Sequence, residues 1–148
     1  MDLYTDEYFM KEALKEAHKA FDEDEVPVGA IIVSQNQIIA RGYNQSVRLN
    51  DFTAHAEMIA FTAASDYMNG KYLNQCKLYV TVEPCTMCTG ASYWTQIGEI
   101  IYGTEDKNRG LHSKGSNYFH PKTKITSGVL KEQSAELMQR FFKNKRKN

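Results

Sequence analysis

Residues 76–88, CKLYVTVEPCTMC, join a run typical of a β-strand to a proline and two cysteines. The run from 76 to 83 contains the β-branched and aromatic residues that favour a strand. Pro84 suits the first position of a helix that begins directly after the strand, since that position needs no backbone N–H. Cys85 and Cys88 would then lie three residues apart on one turn of the helix, where two sulfurs can reach one ion.

Helical and strand patterns alternate on both sides of this junction. Residues 105–121 are rich in Gly, Asn and charge and predict a functional loop. No repeat or linker interrupts the chain, so we expect residues 1–148 to form one α/β domain with a sheet covered on both faces. The other predicted elements are a helix from a Thr5 cap to about Phe21, a hairpin of strands at 26–34 and 37–43, a helix within 53–68, a strand at 99–104, a short strand within 123–129 and a closing helix at 131–147.

Composition gives no sign of a polyanionic or membrane partner. The formal net charge is zero, and three cysteines are present. No apolar run approaches the roughly 20 residues that span a bilayer, and residues 1–10 lack the features of a secretory signal. An odd cysteine count without an export signal predicts reduced thiols in the cytoplasm.

Charge is uneven along the chain, however. Residues 21–25, FDEDE, are acidic, whereas residues 140–148, RFFKNKRKN, contain no acid. A basic segment of this kind either contacts phosphates or is a solvated helix end whose cations complement the helix dipole. Its basic residues are Arg140, Lys143, Lys145, Arg146 and Lys147.

The cysteine pair alone is compatible with a zinc site, a redox pair or ordinary buried thiols. His55, in the run TAHAEMIAF at residues 53–61, adds an imidazole to the two thiolates. Three protein ligands leave one tetrahedral position for water, and Glu57 is close enough in sequence to act as its base. A closed structural site would instead need a fourth ligand, from Cys76, His18, His112 or His120. No second paired ligand motif appears, which favours the open site.

The segments HAE (55–57) and PCTMC (84–88) resemble the signature of the zinc-dependent cytidine and adenosine deaminase superfamily. Over nearly its whole length the chain is most similar to the bacterial tRNA adenosine deaminases, notably in EVPVGAIIV (25–33) and GASYWTQIGEIIYGTEDKNRG (90–110). The resemblance implies a three-layer α/β/α cytidine-deaminase-like fold with a mixed sheet of about five strands. It also implies a homodimer with one zinc ion per chain.

The same resemblance implies the reaction and its residues. His55, Cys85 and Cys88 would hold zinc, and Glu57 would transfer protons during hydrolytic deamination of adenosine to inosine at the wobble position of a tRNA anticodon stem-loop. The implied substrate contacts are Asn44 to the purine, Val28 and the Ala54 backbone along the pocket, Asp106 near the sugar, and Phe141 and Phe142 with the following basic residues on neighbouring RNA. Each of these substrate residues also has a purely structural explanation, as a core, turn or loop residue.

The chain departs from the family pattern at several positions, and three alternatives stay open. The segment SYW at 92–94 resembles bacterial guanine deaminases, and Phe52 and Gln96 stand where a proline and an arginine are usual. A deaminase of a free nucleobase or nucleoside, such as guanine, cytosine or cytidine, would share the same zinc chemistry. An alternative of another class is a non-catalytic, zinc-stabilised RNA-binding module, which requires a fourth protein ligand. A thioredoxin-like redox protein would leave His55 and Glu57 unexplained.

Overall fold

A computed structural model describes residues 3–146 of the chain. Within that range no helix is both long and apolar enough to cross a membrane. The elements are α1 (Asp6–Asp22), β1 (Gly29–Ser34), β2 (Gln37–Tyr43), α2 (Ala56–Met68), β3 (Lys77–Val82), α3 (Thr86–Thr95), β4 (Glu99–Thr104), a 3₁₀ turn (His112–Lys114), β5 (Lys124–Ser127) and α4 (Lys131–Arg146).

The five strands form one mixed sheet in the order β2-β1-β3-β4-β5. Strand β1 pairs antiparallel with β2 and β3, and the pairs β3–β4 and β4–β5 are parallel. Because β3 and β4 are parallel, their carboxyl ends lie at the same edge of the sheet, and the segments that follow them meet there. The predicted mixed sheet of about five strands is therefore confirmed.

The sheet has a helical layer on each face, because successive side chains of a strand point to opposite sides. Helices α2 and α3 pack on one face, and α1 and α4 pack on the other. The predicted three-layer α/β/α fold is confirmed. The first face buries Ala30, Ile32, Leu78, Val80 and Ile100, and the second buries Ile31, Val33, Tyr79 and Ile101.

Two glycines allow helices to approach the sheet at backbone distance. A Cβ atom at Gly29 of β1 would lie 2.1 Å from the Ala13 carbonyl oxygen and 2.3 Å from the Ala17 nitrogen of α1. A Cβ atom at Gly42 of β2 would lie 2.5 Å from the Ala56 oxygen of α2. Both helices are therefore seated against the hairpin where only a hydrogen fits.

Element boundaries differ from the sequence predictions at a few residues. Thr5 caps α1 as expected, accepting the Tyr8 N–H at 3.1 Å. The prediction that Pro84 is the first residue of α3 is wrong. Cys85 is the N-cap, with extended backbone, and the helix begins at Thr86. The proline instead continues the extended chain that follows β3. Lys147, which belongs to the predicted basic segment, lies outside the described residues.

Candidate active site

Three side chains with metal-ligating atoms meet where helices α2 and α3 begin. His55 is the N-cap of α2, and Cys85 is the N-cap of α3. Both have extended backbone, and neither side chain makes a capping hydrogen bond. Cys88 lies in the first turn of α3 and is fully buried. In a regular helix, residues two positions apart point to nearly opposite faces. Because His55 is the N-cap and does not yet follow helical geometry, its side chain and that of Glu57 can face the same point.

The distances within this group fit a tetrahedral zinc ion. The Cys85 and Cys88 Sγ atoms each lie 3.6 Å from His55 Nδ1. Usual Zn–S and Zn–N bond lengths at a tetrahedral angle separate sulfur from nitrogen by about 3.6 Å. A single ring nitrogen has one proton or one lone pair, so two separate hydrogen bonds to the sulfurs do not explain the arrangement. The donor set therefore fits zinc.

The described part of the chain brings no fourth His, Cys, Asp or Glu into this group. The four residues considered as possible fourth ligands lie elsewhere in the fold. Cys76 is in the hydrophobic core, His112 pairs with the Tyr102 hydroxyl at 2.9 Å, and His120 accepts the Lys122 N–H at 3.1 Å. His18 lies exposed on α1. Among the described residues the group therefore has three candidate ligands, and the open site stays a prediction.

A cavity of about 130 Å³ opens beside the group and is walled in part by His55, Glu57 and Cys85. The Glu57 side chain is only 4% exposed. Burial raises the pKa of its carboxyl to about 7. A carboxyl group with a pKa in this range can both accept and donate a proton at neutral pH, which is what a general acid–base needs.

Hydrogen bonds among the two thiols and the imidazole shift their pKa values. The Cys88 thiol donates to the Cys85 sulfur and, together with His55, lowers the pKa of Cys85 to about 4 against the opposing effect of burial. The same shared proton, with burial, raises the pKa of Cys88. Hydrogen bonding to Cys85 raises the pKa of His55. A divalent metal that binds here would release the protons on Cys88 and His55, so metal affinity should rise with pH.

Three of the predicted substrate residues, Val28, Asn44 and Asp106, lie on the cavity wall. Asn44 Nδ2 donates to the Val26 carbonyl at 3.2 Å and Oδ1 accepts the Ser46 N–H at 3.2 Å. The Asn44 NH2 group retains a second N–H, and its Oδ1 retains a second lone pair, for hydrogen bonds to a ligand. Asp106 Oδ1 accepts two backbone N–H groups of its own turn, each at 3.0 Å.

The other predicted substrate residues are placed differently. Ala54 is buried, its carbonyl accepts the Gln45 N–H at 3.0 Å, and the alanine on the cavity wall is Ala56. Phe141 is 7% exposed and packs on Phe21, with ring centroids 6.3 Å apart. Phe142 is 41% exposed. Of the two phenylalanines, therefore, Phe142 is the one that presents a ring to solvent.

The basic segment of α4 is partly engaged within the chain. Lys145 pairs with Asp24 of the acidic segment at 2.6 Å. Lys143 and Arg146 lie exposed in the last turn of α4. The cations that remain for a phosphate partner thus lie next to the exposed Phe142.

Residues that the sequence reasoning missed also wall the cavity, among them Ser46, Glu83, Arg109 and Met138. Glu83 is an acidic residue directly after an apolar strand. An acidic residue in that position predicts hydrogen-bond donors from elsewhere in the fold. Arg109 had no signal beyond its place in the loop 105–121. Within the described residues, no carboxylate lies within ion-pairing distance of the Arg109 guanidinium.

Comparisons with known proteins agree with this geometry. Residues 3–104 match the family model of the cytidine and deoxycytidylate deaminase zinc-binding region. The chain is 43% identical over 147 residues to the tRNA-specific adenosine deaminase of Aquifex aeolicus (strain VF5), covering 96% of this chain and 97% of that protein.

Two solved structures bear on the substrate. One comes from a study of A-to-I editing by tRNA:A34 deaminases; it is 37% identical, with a TM-score of 0.82 and coverage of 88% of this chain and 98% of its own. The other, a guanine deaminase from Bacillus subtilis, is also 37% identical. Its TM-score is 0.65, and the match covers 71% of this chain and 66% of its own.

Proposed function

This chain belongs to the cytidine and deoxycytidylate deaminase zinc-binding family, and from that premise we propose that it deaminates adenosine to inosine at the wobble position of a tRNA anticodon. It is a zinc-dependent hydrolytic deaminase. One observation carries the proposal: the three ligand atoms lie within 4.8 Å of one another beside a cavity that the buried Glu57 also lines, in a chain that matches a tRNA-specific adenosine deaminase over 96% of its length.

We assign the metal to His55, Cys85 and Cys88, with one zinc ion per chain. When bound, zinc supplies Lewis-acid chemistry that lowers the pKa of a water molecule. Glu57 takes a proton from the attacking water. It gives this proton to the ring nitrogen as the hydroxide adds to C6, then takes the second proton from the new hydroxyl and passes it to the amine; the C6–N bond breaks, ammonia leaves and inosine remains.

The cavity wall offers the contacts that a flipped nucleoside needs. Val28 gives an apolar surface, and Asn44 retains amide hydrogen-bonding positions for a purine edge. We assign the sugar and its phosphates to the polar wall residues Asp106 and Arg109. Anticodon loops offer bases that are already unstacked, which lowers the cost of entry into such a cavity. Phe142 and Lys143 supply a ring and a cation for the neighbouring RNA.

The two alternatives are less well supported. A free-base deaminase would share the zinc chemistry. At the same 37% identity, however, the Bacillus subtilis guanine deaminase matches less of this chain than the tRNA:A34 deaminase structure does, 71% against 88%, and with a lower TM-score, 0.65 against 0.82. A non-catalytic zinc module requires a fourth protein ligand, and none joins the group among residues 3–146.

We further propose that residues 1–148 act as one domain in the cytoplasm and that two copies pair through the exposed aromatic face of α3. A groove of about 530 Å³ runs between this helix and the loop 105–121, with Trp94 77% exposed and Tyr118 64% exposed. Leu111 lines the same groove, so a second copy seated there would contact the loop that carries the cavity residues. Trp94→Glu should convert a dimer to a monomer in sedimentation experiments. An unchanged sedimentation coefficient would place the interface elsewhere.

The substrate is tested by incubating the zinc-loaded protein separately with a tRNA that carries a wobble adenosine, with guanine, with cytosine and with cytidine. We expect inosine and ammonia from the tRNA and no ammonia from the other three. Ammonia from guanine without inosine in the tRNA would replace the proposed substrate while leaving the zinc chemistry in place.

A further inference from the structure

Glu83 is a buried carboxylate with three hydrogen-bond donors from one loop. Its side chain is 3% exposed at the end of β3, two residues before the ligand Cys85. Oε1 accepts the Asp106 N–H at 3.0 Å and the Ser113 hydroxyl at 2.7 Å. Oε2 accepts the Ser113 N–H at 2.9 Å. An ionised carboxylate only accepts hydrogen bonds, and here all three partners are donors.

The loop that these bonds hold carries two residues of the cavity wall, Asp106 and Arg109. The turn from 106 to 110 is closed by its own bonds, since the Gly110 N–H donates to the Asp106 carbonyl at 2.8 Å. A self-contained turn needs an outside anchor to fix its distance from the metal ligands. Glu83 supplies one, because its backbone leads directly into the turn that carries Cys85.

The loop backbone also packs directly against this carboxylate. A Cβ atom at Gly110 would lie 2.2 Å from Glu83 Oε1 and 2.5 Å from Oε2. The carboxylate cannot move away without giving up bonds to Asp106 and Ser113. Position 110 is therefore a second, independent place at which the same contact can be disturbed.

We propose that Glu83 is a positioning residue that holds Asp106 and Arg109 at the cavity mouth and thereby determines substrate binding rather than the chemical step. A buried carboxylate is costly unless it is fully hydrogen-bonded, and all three of the bonds that offset this cost come from the loop that carries Asp106 and Arg109. This inference deepens the proposed function and rests on it for its kinetic consequence. The anchoring of the loop is testable without any substrate.

The first test is Glu83→Gln in the zinc-loaded, full-length protein. The amide NH2 cannot accept a hydrogen bond, so at least one of the three bonds is lost while side-chain size is kept. We expect KM for tRNA to rise about 10-fold, as for one weakened charge-assisted hydrogen bond, with kcat and zinc content nearly unchanged. Amide hydrogen exchange should accelerate across residues 105–115 and stay unchanged in β3.

Gly110→Ala should reproduce this pattern, because the added methyl displaces the carboxylate. Gly70→Ala is its matched control, since nothing lies within 4 Å of a Cβ atom there. Glu25→Gln controls for loss of any buried carboxylate: Glu25 is 1% exposed and accepts the Val47 and Arg48 N–H groups at 3.0 and 2.7 Å. We expect that variant to accelerate exchange around residues 45–51 and not in the loop 105–115.

Unchanged exchange across 105–115 in Glu83→Gln would overturn the proposal, as would a fall in kcat at constant KM or a loss of zinc. If Glu83→Gln does not fold, Ser113→Ala removes only the hydroxyl donor and should give a smaller acceleration in the same segment; no acceleration there overturns the proposal equally. If the wild type forms no inosine in tRNA, the proposed function fails. The exchange comparison still decides whether Glu83 anchors the loop.

Discussion

Replacing Glu57 by glutamine separates proton transfer from metal binding. The substitution keeps the size of a side chain that is 4% exposed and removes only its ability to accept and release a proton. Positioned acid–base groups contribute about 10²–10⁴-fold to a rate. The other carboxylates on the cavity wall, Glu83 and Asp106, already accept backbone N–H groups and cannot readily replace Glu57. We therefore expect a loss near the upper end, about 10³–10⁴-fold in kcat, which corresponds to about 4–5.5 kcal/mol.

Steady-state kinetics on tRNA, with inosine quantified by mass spectrometry, measure this loss. KM should stay within a few-fold of wild type, because Glu57 acts after the substrate is bound. Zinc content should be unchanged because Glu57 is not a ligand, and thermal stability should be equal or higher because a buried carboxyl group has been neutralised. A zinc-loaded Glu57→Gln variant that keeps more than a tenth of the wild-type kcat would refute the assignment.

Three further substitutions, one of them with a matched control, test the metal, the fold and the RNA contact. Cys85→Ala should reduce zinc, measured by elemental analysis, from one ion per chain to a small fraction, and full retention would exclude Cys85 as a ligand. Gly29→Ala should lower the free energy of unfolding in urea by about 3 kcal/mol, because its methyl would overlap backbone atoms of α1. Gly70→Ala, with open space around it, should stay within about 0.5 kcal/mol, and equal midpoints for the two would contradict the packing argument. Lys143→Ala should weaken tRNA binding and reduce the slope of log affinity against log salt by about 1, and an unchanged slope would remove this cation from the interface.

The order of the elements and the layers of the fold could be predicted from the sequence because each depends on local pattern. Runs of β-branched and aromatic residues predicted the strands, and Thr5 predicted the start of α1. The start of α3 was predicted two residues too early, at Pro84 instead of Thr86, since proline is compatible both with the first helical residue and with extended backbone before the cap. Nothing local distinguishes the two.

The candidate metal group could be predicted because its chemistry needs particular residue types at particular spacings. The rest of the site depends on contacts between distant segments. Glu83 meets its partners 23 and 30 residues further along the chain, and Phe141 is buried by Phe21. Such pairings follow from the parallel arrangement of β3 and β4 and from the seating of α4 beside α1, which no short stretch of sequence encodes.

The proposed reaction replaces the amino group at C6 of a single adenosine with one oxygen atom from water. Isotope labelling tests this most directly. The zinc-loaded protein would be incubated in ¹⁸O-labelled water with a tRNA that carries a wobble adenosine, and the digested tRNA analysed by mass spectrometry. We expect inosine at the wobble position only, carrying one ¹⁸O atom. Unlabelled inosine, or a tRNA left unchanged by fully zinc-loaded protein, would contradict hydrolytic deamination of this substrate.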